Sequence, residues 1–566
     1  MRVYLYCLLV ALAGCLDAKQ VTITLLATTD LHGNILPYDY LTGKPAERGL
    51  AKIATLIAAE RAKNPNTLLI DCGDTIQGTA LEGTYQNYVR TGVLAGGLKH
   101  DPMMLVMNYL GYDAMAVGNH EYNYGLKNFD KARADAQFPW LSANTNTDAG
   151  TRKPLAPYLI KTIAGIKVAV IGITTPGVPN WEKPENYAGL TFLPAPESVR
   201  QTVEELRAKH HPDLVIVAAH TGLDRDPKTG MLRSNEMKDE NAAYEIASEI
   251  PGVDAVVFGH THLQVPELRI GSVLLMQPKN WGISLGRMEF VLDDTADGRW
   301  KVTSKTSAVI PVTRETSADP KIVSIAQPYH ELAEQELNET ILQSSTSLDA
   351  SRSRIEDTAI IDAIHQVQMH YAKADVSFTS SFNPRATIPK GAVTVRQIAG
   401  LYYYDNELYA VEGNGKMVRD ALENSARFFL GCAEAECKAG RLINPAVLPF
   451  NYDMAEGVDY EIDLTRPEGQ RITKLMFRGK RLLDDQPLRI AVNNYRAAGS
   501  AGYGMFQNAK VLWRSYDDIR SLMIRYYTGR GVFPSEPDHN WRIVPESAHR
   551  ILGEEIQLEN KRSGNQ

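Results

Sequence analysis

The segment Ala-Met-Ala-Val-Gly-Asn-His-Glu, residues 114–121, is the stretch that decides the fold. An apolar run ends at Val117 and is followed by a glycine turn that presents an amide, Asn119, and an imidazole, His120. A short apolar run of this kind is typical of a buried parallel strand. The segment therefore predicts an α/β fold in which a strand end carries chemistry.

Four other segments share this design, an apolar run followed by side chains that bind metals. They are Asp30-Leu31-His32 after residues 22–27, Gly73-Asp74 after 67–70, His220 after 214–217, and Gly259-His260-Thr261-His262 after 255–258. We expect these ligands to gather at one edge of one sheet. Two aspartates, one asparagine and several histidines suit Zn²⁺ or Mn²⁺, and a bridging carboxylate can hold two such cations about 3.5 to 4 Å apart. That spacing suits in-line attack on phosphorus.

Each segment also has a plain structural explanation when it is taken alone. Asp-x-His or Gly-Asp after a strand often caps the helix that follows. The glycine turn at Asn119 is a stronger signal, and the pair His260 and His262 is stronger still, because residues i and i+2 face one site only on an extended or turning backbone. The remaining histidines lack such context, and we interpret them as surface or packing residues: His100, His210, His211, His330, His365, His370, His539 and His549.

The length and net charge of the chain indicate its domain number and the kind of partner it binds. The chain has 566 residues, a net charge of −7 and 44% hydrophobic residues. This length exceeds what one core usually supports, so at least two domains are expected. The acidic charge gives no reason to expect a nucleic-acid polymer or an anionic membrane surface as partner. The expected partner is a small anionic molecule, which two divalent cations would attract locally.

The chain divides into two unlike halves. Residues 21–314 alternate strand-like runs with amphipathic stretches, which predicts an α/β catalytic domain. Residues 315–341 are polar and helix-prone and predict a linker helix. Residues 342–551 predict an α+β domain, and residues 552–566 are expected to form a frayed tail.

Residues 1–20 are typical of an export signal, because Arg2 precedes an apolar stretch too short to span a membrane. Two cleavage interpretations remain open. Leu12-Ala13-Gly14-Cys15 resembles a lipoprotein box, which would make Cys15 a lipid anchor, whereas cleavage after Ala18 would release the protein. A first strand near Val21 leaves only a short tether after Cys15, which favours release. The expected location is the periplasm or cell envelope, and no later run is apolar enough to span a membrane.

Cysteine usage agrees with export. Cys432 and Cys437 flank a short loop and could close a local disulfide in an oxidising compartment. Cys72 would then be unpaired, and we interpret it as a small buried thiol at a strand end rather than as a ligand.

These motifs together resemble the calcineurin-type metallophosphoesterases of the exported 5'-nucleotidase family. The matching segments are Thr28-Thr29-Asp30-Leu31-His32-Gly33, Gly73-Asp74, Gly118-Asn119-His120-Glu121, Ala219-His220-Thr221-Gly222, Gly259-His260-Thr261-His262, Tyr404-Asp405-Asn406-Glu407-Leu408 and Asn493-Asn494-Tyr495-Arg496. Residues 119–126 and the Tyr-Asp-Asn segment look most like the branch that hydrolyses 2',3'-cyclic nucleotides and 3'-nucleotides. The resemblance implies an N-terminal calcineurin-like sandwich and a C-terminal α+β nucleotide-binding domain of the 5'-nucleotidase type.

The resemblance also implies a role for each candidate residue of the first domain. It assigns one divalent metal ion, such as zinc, manganese or cobalt, to Asp30, His32, Asp74 and His262, and a second to Asp74, Asn119, His220 and His260, with Asp74 as the bridge. His120 resembles the family's non-ligand histidine, which stabilises charge on the phosphate or protonates the leaving oxygen. Many 5'-nucleotidases have an aspartate three residues further on, where this chain has Asn123. An amide can orient the ring but cannot neutralise an imidazolium, which argues against strong 5'-monoesterase activity.

In the second domain the resemblance implies an aromatic clamp on the nucleobase. Phe450 and Tyr503 stand at the positions of the two stacking rings, with Tyr452 as the nearest substitute, and a core role for Phe450 is an open alternative. Asn383 and Arg385 resemble polar positions that contact the ligand, although Pro384 interrupts the family's glycine-rich pattern.

Three functional hypotheses follow. The first is a periplasmic hydrolase of 2',3'-cyclic nucleotides and 3'-nucleotides. The second is a 5'-nucleotidase or UDP-sugar hydrolase, and the third is a binding protein that keeps the fold without chemistry. Because all seven expected metal ligands are present, the sequence favours an enzyme.

Overall fold

The computed structural model describes residues 19–93, 97–148, 152–232, 240–295, 298–404, 406–432, 437, 441–530 and 532–563. Residues 1–18, which hold most of the expected export signal and Cys15, lie outside this range, as does Asp405. The chain forms two compact units: unit 1 contains residues up to 37 and 47–327, and unit 2 contains residues 38–46 and those from 328 onward. The segment 38–46 thus belongs to unit 2, although the sequence analysis placed it in the first domain.

Unit 1 is built on two six-stranded sheets. The first has the order β16-β15-β1-β4-β5-β6 and consists of β1 (Gln20–Thr28), β4 (Thr67–Asp71), β5 (Ala114–Ala116), β6 (Trp140–Leu141), β15 (Ser284–Asp294) and β16 (Trp300–Pro311). The second has the order β13-β14-β12-β11-β9-β8 and consists of β8 (Tyr158–Ile163), β9 (Ile166–Thr174), β11 (Leu214–His220), β12 (Ala255–Phe258), β13 (Val265–Ile270) and β14 (Val273–Gln277). A separate ribbon pairs β7 (Thr145–Thr147) with β10 (Leu190–Phe192).

The two sheets pack against each other across one apolar core. Side chains from both contribute to it, among them Leu25 and Ile70 from the first sheet and Val170 and Ile216 from the second. Helices α6 and α7 cover the other face of the second sheet. The helices of unit 1 are α1 (Leu50–Lys63), α2 (Ala80–Thr91), α3 (Pro102–Leu110), α4 (Leu126–Asp135), α5 (Val178–Trp181), α6 (Ala195–Lys209) and α7 (Ala243–Glu249). Strands covered on both faces read as continuous apolar runs, and every residue of β11 is buried.

Parallel pairing determines where the strand ends lie. In the first sheet β1, β4, β5 and β6 are parallel neighbours, and in the second β9, β11, β12 and β14 are parallel neighbours. The predicted ligands follow or end five of these strands. The prediction of a single sheet is wrong, because β11 and β12 belong to the second sheet and the two sheets share the site.

Unit 2 is a mixed α+β structure with one principal core. Its five-stranded sheet has the order β23-β19-β27-β22-β28, and its four-stranded sheet has the order β26-β25-β24-β29. The strands are β2 (Tyr38–Asp39), β3 (Lys44–Pro45), β17 (Thr340–Ser344), β18 (Leu348–Asp349), β19 (Val376–Ser380), β20 (Thr387–Ile388), β21 (Gly391–Thr394), β22 (Glu407–Asn414), β23 (Asp453–Glu456), β24 (Asp459–Asp463), β25 (Ile472–Phe477), β26 (Lys480–Arg481), β27 (Pro487–Asn493), β28 (Val511–Asp518) and β29 (Trp541–Val544). Small two-stranded pairs join β17 with β21, β18 with β20, and β2 with β3.

The helices of unit 2 correct one expectation about the end of the chain. After α8 (Pro320–Leu337), which spans the boundary of the units, they are α9 (Ala359–Ala372), α10 (Val395–Ala399), α11 (Gly415–Ala426), α12 (Asn494–Ala497), α13 (Ile519–Thr528) and α14 (Glu546–Ser563). The expected frayed tail from residue 552 is wrong, because α14 continues to Ser563 and buries Leu552 and Ile556. Their i, i+4 spacing places both on one helix face.

Two further features bear on export. A disulfide joins Cys432 to Cys437, and Cys72 is a buried free thiol, as the sequence suggests. Among the described residues, no helix is both long and apolar enough to cross a membrane.

Unit 2 also contains a cluster of four carboxyl groups, those of Asp357, Asp362, Glu456 and Asp538. Oxygen atoms of the three aspartates lie within 4.8 Å of one another. Burial, reinforced by the charges of Asp357, Glu456 and Asp538, raises the pKa of Asp362 to about 9. Burial and the charge of Asp538 raise the pKa of Glu456 to about 8.

We expect Asp362→Asn to stabilise the protein at neutral pH. The pKa of Asp362 rises from 3.8 to about 9 on folding, so folding favours the protonated carboxyl and the wild type loses stability as the pH rises through this range. A neutral amide removes this contribution. Urea unfolding at pH 5, 7 and 9 measures the effect, with exposed Asp459→Asn as the matched control. Equal pH dependence in Asp362→Asn and wild type would contradict the expectation.

Candidate metal centre

The seven predicted metal ligands lie at the ends of five strands of unit 1. Asp30 and His32 follow β1, Asp74 follows β4, Asn119 follows β5, His220 ends β11, and His260 and His262 follow β12. Donor atoms of six of them form two groups, each with all atoms within 4.8 Å of one another: Asp30, His32 and His262, and Asp74, His220 and His260. The structure thus brings together side chains that are up to 232 residues apart in sequence.

Asp74 lies where the two groups meet. Its Oδ2 atom is 3.0 Å from Nε2 of His220 and 3.9 Å from Nε2 of His32, one residue from each group. Its Oδ1 atom accepts a hydrogen bond of 2.8 Å from the backbone N–H of His120. The side chain is buried, and Oδ2 therefore lies between ligands of both groups without contact with solvent. This position supports a bridging role.

The hydrogen bonds of His220 provide a test of whether a cation fits. Nδ1 lies 2.8 Å from the carbonyl oxygen of Cys72, which can only accept, so Nδ1 carries a proton. Nε2 faces two acceptors, Asp74 Oδ2 at 3.0 Å and Asn119 Oδ1 at 3.1 Å. Burial lowers the pKa of the His220 ring, but the Asp74 carboxylate more than offsets this and raises it to about 10, so without a cation a proton lies on Nε2 between these atoms. A metal ion in the place of this proton leaves a lone pair on Nε2 beside those of the two oxygens. Three lone pairs that converge in this way fit a metal cation.

The other group has the same character. Nδ1 of His32 lies 3.0 Å from the carbonyl oxygen of Gln77, so Nδ1 donates and Nε2 carries the lone pair. That Nε2 is 3.0 Å from Nε2 of His262, which in turn is 3.4 Å from Asp30 Oδ1. Burial and the neighbouring His262 lower the pKa of His32 to about 4, which keeps the ring neutral. A neutral imidazole is the form that binds metals.

Most of the ligands have an unusual backbone. Five of the seven lie in the left-handed region: Asp30 (φ 50°), His32 (φ 47°), Asp74 (φ 59°), His260 (φ 70°) and His262 (φ 54°). Non-glycine residues are uncommon there, and clusters of them mark functional sites where surrounding contacts hold the strain.

The glycines that precede two of the ligands are required by close packing. A Cβ atom on Gly118 would lie 2.2 Å from Asp74 Oδ1, and one on Gly259 would lie 2.0 Å from Oγ1 of Thr29. Both contacts are shorter than any side chain tolerates. The Gly-Asn-His pattern therefore arises where two neighbouring strand ends of the first sheet meet, and the Gly-His-Thr-His pattern arises where strand ends of the two sheets meet.

Glu121 holds two of the ligand loops together, a role that the sequence analysis did not assign. Its fully buried carboxylate accepts hydrogen bonds from the backbone N–H groups of Asp74 (2.9 Å), Thr75 (2.6 Å) and Gly118 (2.7 Å). It thereby joins the loop after β4 to the loop after β5. Its place beside the Asn-His pair was the only sequence signal for it.

Two more side chains contact the ligand His260. Oε1 of Glu240 lies 2.9 Å from its Nε2, and the ring centroid of Trp181 lies 5.4 Å from that of His260. Neither was predicted, because no recognisable motif surrounds either residue in the sequence.

His120 lies beside the ligands but outside both groups. Its Nε2 is 3.9 Å from Asp74 Oδ2, and about 30% of its side chain is exposed. Its Nδ1 lies 2.5 Å from Oδ1 of Asn123. This geometry supports the predicted pairing of His120 with Asn123 and leaves Nε2 facing the ligand cluster.

The predicted nucleobase clamp is wrong for Tyr503, whose ring is fully buried. The Arg496 guanidinium lies 4.3 Å above it, Phe506 stacks on it, and its hydroxyl is hydrogen-bonded to Ser425. Its substitute Tyr452 is also fully buried and stacks on Phe428. Neither ring offers a free face to a base. The aromatic pattern in the sequence could not separate a core ring from an open one.

Phe450 is half-buried, and the open ring near it is Tyr404, which is 45% exposed. The two ring centroids are 6.2 Å apart and the planes are inclined at 61°. Nη2 of Arg496 donates to the carbonyl oxygen of Phe450 while the guanidinium pairs with buried Asp453. The Asn-Asn-Tyr-Arg motif therefore positions the Phe450 loop.

The two polar residues of unit 2 that are predicted to contact the ligand differ in solvent exposure. Asn383 is buried, and its amide donates to the carbonyl oxygen of Gly400 and accepts from the N–H of Arg385. Arg385 itself is exposed. Asn383 therefore shapes its loop, and Arg385 is the one of the two that is open to a ligand.

A sandwich of two sheets whose strand ends gather histidine, aspartate and asparagine ligands defines a metallophosphoesterase. The sequence profile of the calcineurin-like phosphoesterases matches residues 23–264, and that of the 5'-nucleotidase C-terminal domain matches residues 337–508. The chain belongs to the 5'-nucleotidase family of calcineurin-like phosphoesterases and is a metal-dependent enzyme.

Individual relatives are similar over most of the chain. A 2',3'-cyclic-nucleotide 2'-phosphodiesterase/3'-nucleotidase of Salmonella typhimurium is 30% identical over 94% of this chain and 90% of that protein. The trifunctional nucleotide phosphoesterase YfkN of Bacillus subtilis is 29% identical over 95% of this chain, which spans only 40% of that longer protein. The crystal structure of a candidate 5'-nucleotidase from Staphylococcus aureus is 26% identical, with a TM-score of 0.71 over 92% of this chain and all of the other.

Proposed function

We propose that this enzyme hydrolyses 2',3'-cyclic nucleotides to 3'-nucleotides, and 3'-nucleotides to nucleoside and phosphate. The observation that carries the proposal is the convergence of two ligand groups around Asp74, with His120 beside them. The choice of this branch is supported by Asn123, which stands where many 5'-nucleotidases have aspartate, and by the similarity to the Salmonella protein.

The residues of the site fall into two sets, the metal ligands and the histidine that acts on the substrate. Asp30, His32 and His262 would hold one divalent cation, Asn119, His220 and His260 the other, and Asp74 both; zinc, manganese and cobalt suit this set. When bound, such cations polarise phosphoryl oxygens and lower the pKa of a water molecule. His120 uses Nε2 to protonate the leaving oxygen or to stabilise charge on the phosphate.

A substrate panel tests the proposal. Purified protein loaded with Mn²⁺ or Co²⁺ is assayed with 2',3'-cyclic AMP, 3'-AMP, 5'-AMP and a UDP-sugar. We expect the highest kcat/KM for the first two. A preference for 5'-AMP or the UDP-sugar would instead support the second hypothesis, a 5'-nucleotidase. Absence of hydrolysis in a fully metal-loaded protein would support a binding role.

We further expect Phe450→Ala to weaken nucleotide binding without slowing the reaction. Loss of a stacking ring costs about 1 to 3 kcal/mol, which is roughly a tenfold to hundredfold rise in KM, with little change in kcat. Ribose 3-phosphate, which has no base, is the control substrate. An equal rise in KM for this control would show that Phe450 is structural.

Tyr503→Ala is the matched comparison for Phe450→Ala. Because the Tyr503 ring is fully buried, its loss should lower the free energy of unfolding by about 3 to 5 kcal/mol. If Tyr503→Ala instead weakened nucleotide binding and kept a normal free energy of unfolding, Tyr503 would belong to the nucleobase site.

We also propose that residues 1–20 direct export to the periplasm or cell envelope. The disulfide between Cys432 and Cys437 supports an oxidising compartment. Fractionation of cells that express the full chain and its Cys15→Ala variant tests both the location and a lipid anchor. Membrane association that disappears in the variant would establish lipidation at Cys15.

A further inference from the structure

A buried carboxylate lies directly behind the pair formed by His120 and Asn123. Nδ2 of Asn123 donates a 2.7 Å hydrogen bond to Oε2 of Glu182, which ends α5 and is only 4% exposed. The other oxygen, Oε1, accepts from the backbone N–H of Lys183 at 2.7 Å and from Nδ2 of Asn186 at 2.8 Å. Glu182 is thus fixed by three N–H donors.

This arrangement determines which way the amide of Asn123 points. Oε1 of Glu182 accepts from two N–H donors other than Asn123, and an ionised carboxylate has only acceptor atoms to offer, so the NH₂ group of Asn123 must face Oε2. Its Oδ1 then faces Nδ1 of His120, where the two atoms are 2.5 Å apart. Because an amide oxygen can only accept, Nδ1 of His120 must carry a proton.

The consequence for His120 concerns its tautomer. When Nδ1 keeps its proton, Nε2 is the nitrogen that exchanges a proton with substrate, and Nε2 is the atom that faces the ligand cluster. Asn123 is itself exposed and would otherwise be free to turn over, since solvent can satisfy either end of its amide. Glu182 removes that freedom.

We propose that Glu182 is a positioning residue that fixes the tautomer of His120 through Asn123. The inference rests on the proposed function, since it assumes that His120 acts on the phosphoester. The three side chains form a relay in which the buried carboxylate of Glu182 orients the amide of Asn123, and that amide orients the ring of His120. The relay was not visible in the sequence, because Glu182 lies 59 residues after Asn123.

Glu182→Gln is the decisive variant because it changes hydrogen bonding with almost no change of shape. Two donors face Oε1 of Glu182, so the oxygen of the new amide stays there and its NH₂ group turns toward Asn123. Asn123 then turns over and presents its own NH₂ group to Nδ1 of His120. The imidazole must accept there, which moves its proton to Nε2.

We expect Glu182→Gln to lower kcat for 3'-AMP by about tenfold to a hundredfold, a part of the roughly 10² to 10⁴ that general acid–base catalysis contributes. KM, metal content and thermal stability should stay close to wild type. Glu185→Gln, an exposed change in the adjacent turn at Pro184–Tyr187, is the matched control and should keep full activity.

A double variant provides the rescue. In Asn123→Asp/Glu182→Gln the aspartate accepts from the NH₂ group of the glutamine and from Nδ1–H of His120, so the original tautomer returns. We expect at least half of the lost kcat to return on a logarithmic scale. Asn123→Asp alone places two carboxylates at hydrogen-bond distance and should be less active than the double variant.

A readout independent of turnover completes the test. The ring ¹⁵N chemical shifts of His120 in zinc-loaded protein distinguish a proton on Nδ1 from one on Nε2. Wild type and the double variant should show Nδ1–H, and Glu182→Gln should show Nε2–H. The same tautomer in all three proteins would overturn the relay, as would wild-type kcat in Glu182→Gln.

The proposed function and the proposed role of Glu182 can each fail independently of the other. If the wild type hydrolyses none of the nucleotides, that function is wrong, while the tautomer measurement still decides whether Glu182 orients His120.

Discussion

Asp74→Asn is expected to abolish phosphoester hydrolysis and to lower the metal content of the protein. Asp74 has an oxygen close to both ligand groups, 3.0 Å from His220 Nε2 and 3.9 Å from His32 Nε2. The asparagine keeps the shape and an oxygen for the N–H of His120, so the change removes chiefly the negative charge. Without that charge the converging imidazoles lose the anion that offsets two divalent cations. Metal analysis after gel filtration, together with kcat for 3'-AMP, measures both effects.

The comparison for this variant is Asp130→Asn, an aspartate of the same unit that makes an exposed pair with Arg152. It should bind two metals and keep wild-type activity, because surface ion pairs contribute little. A folded Asp74→Asn protein that retains two metals and near-normal turnover would overturn the assignment of the centre.

The metal ligands could be predicted from sequence because each lies next to a short sequence pattern that indicates a strand end. A buried strand is an apolar run, and close packing at its end selects glycine, as at Gly118 and Gly259. The ligands lie at the strand end or within four residues of it, so one short segment contains both the strand and its ligands. Parallel pairing of the strands brings these segments together at the site. Asp30, Asp74 and His220 are all recognisable on this basis.

The supporting carboxylates could not be predicted in the same way. Glu182 contacts Asn123, the partner of His120, and Glu240 contacts His260, and nothing in the sequence around either glutamate indicates these contacts. Glu121 lay inside a recognised motif, yet its role depends on backbone N–H groups of a loop 46 residues earlier. Hydrogen bonds of this kind depend on tertiary structure and leave no periodic pattern in the chain.

Unit 2 shows a different limit of sequence reasoning. Tyr503 and Tyr404 both stand next to polar or glycine residues, but the first is fully buried and the second is 45% exposed. An aromatic ring serves equally well as core or as binding surface, so residue type alone does not decide between them. The buried pair of Arg496 and Asp453 fixes the Phe450 loop, and its charges are far apart in sequence.

His120→Ala is expected to keep both metals but to lower kcat for 3'-AMP by a factor of about 10² to 10⁴, as for loss of a general acid or charge stabiliser. The physical reason is its position: Nε2 faces the ligand cluster at 3.9 Å from Asp74, yet His120 belongs to neither ligand group. His100→Ala removes a largely exposed histidine that pairs with Asp135 and is the matched control. Metal loss in His120→Ala would make His120 a ligand and contradict its role.

The leaving group separates the two roles still open for His120. Nitrophenolate departs without a proton, whereas a nucleoside alkoxide needs one. If His120 acts as a general acid, His120→Ala should therefore lose much less activity with bis(p-nitrophenyl) phosphate than with 2',3'-cyclic AMP. Equal losses with both diesters would instead assign His120 to stabilisation of charge on the phosphate. Glu182→Gln should show the same difference between the two substrates with smaller losses of activity, because it affects the reaction only through the His120 tautomer.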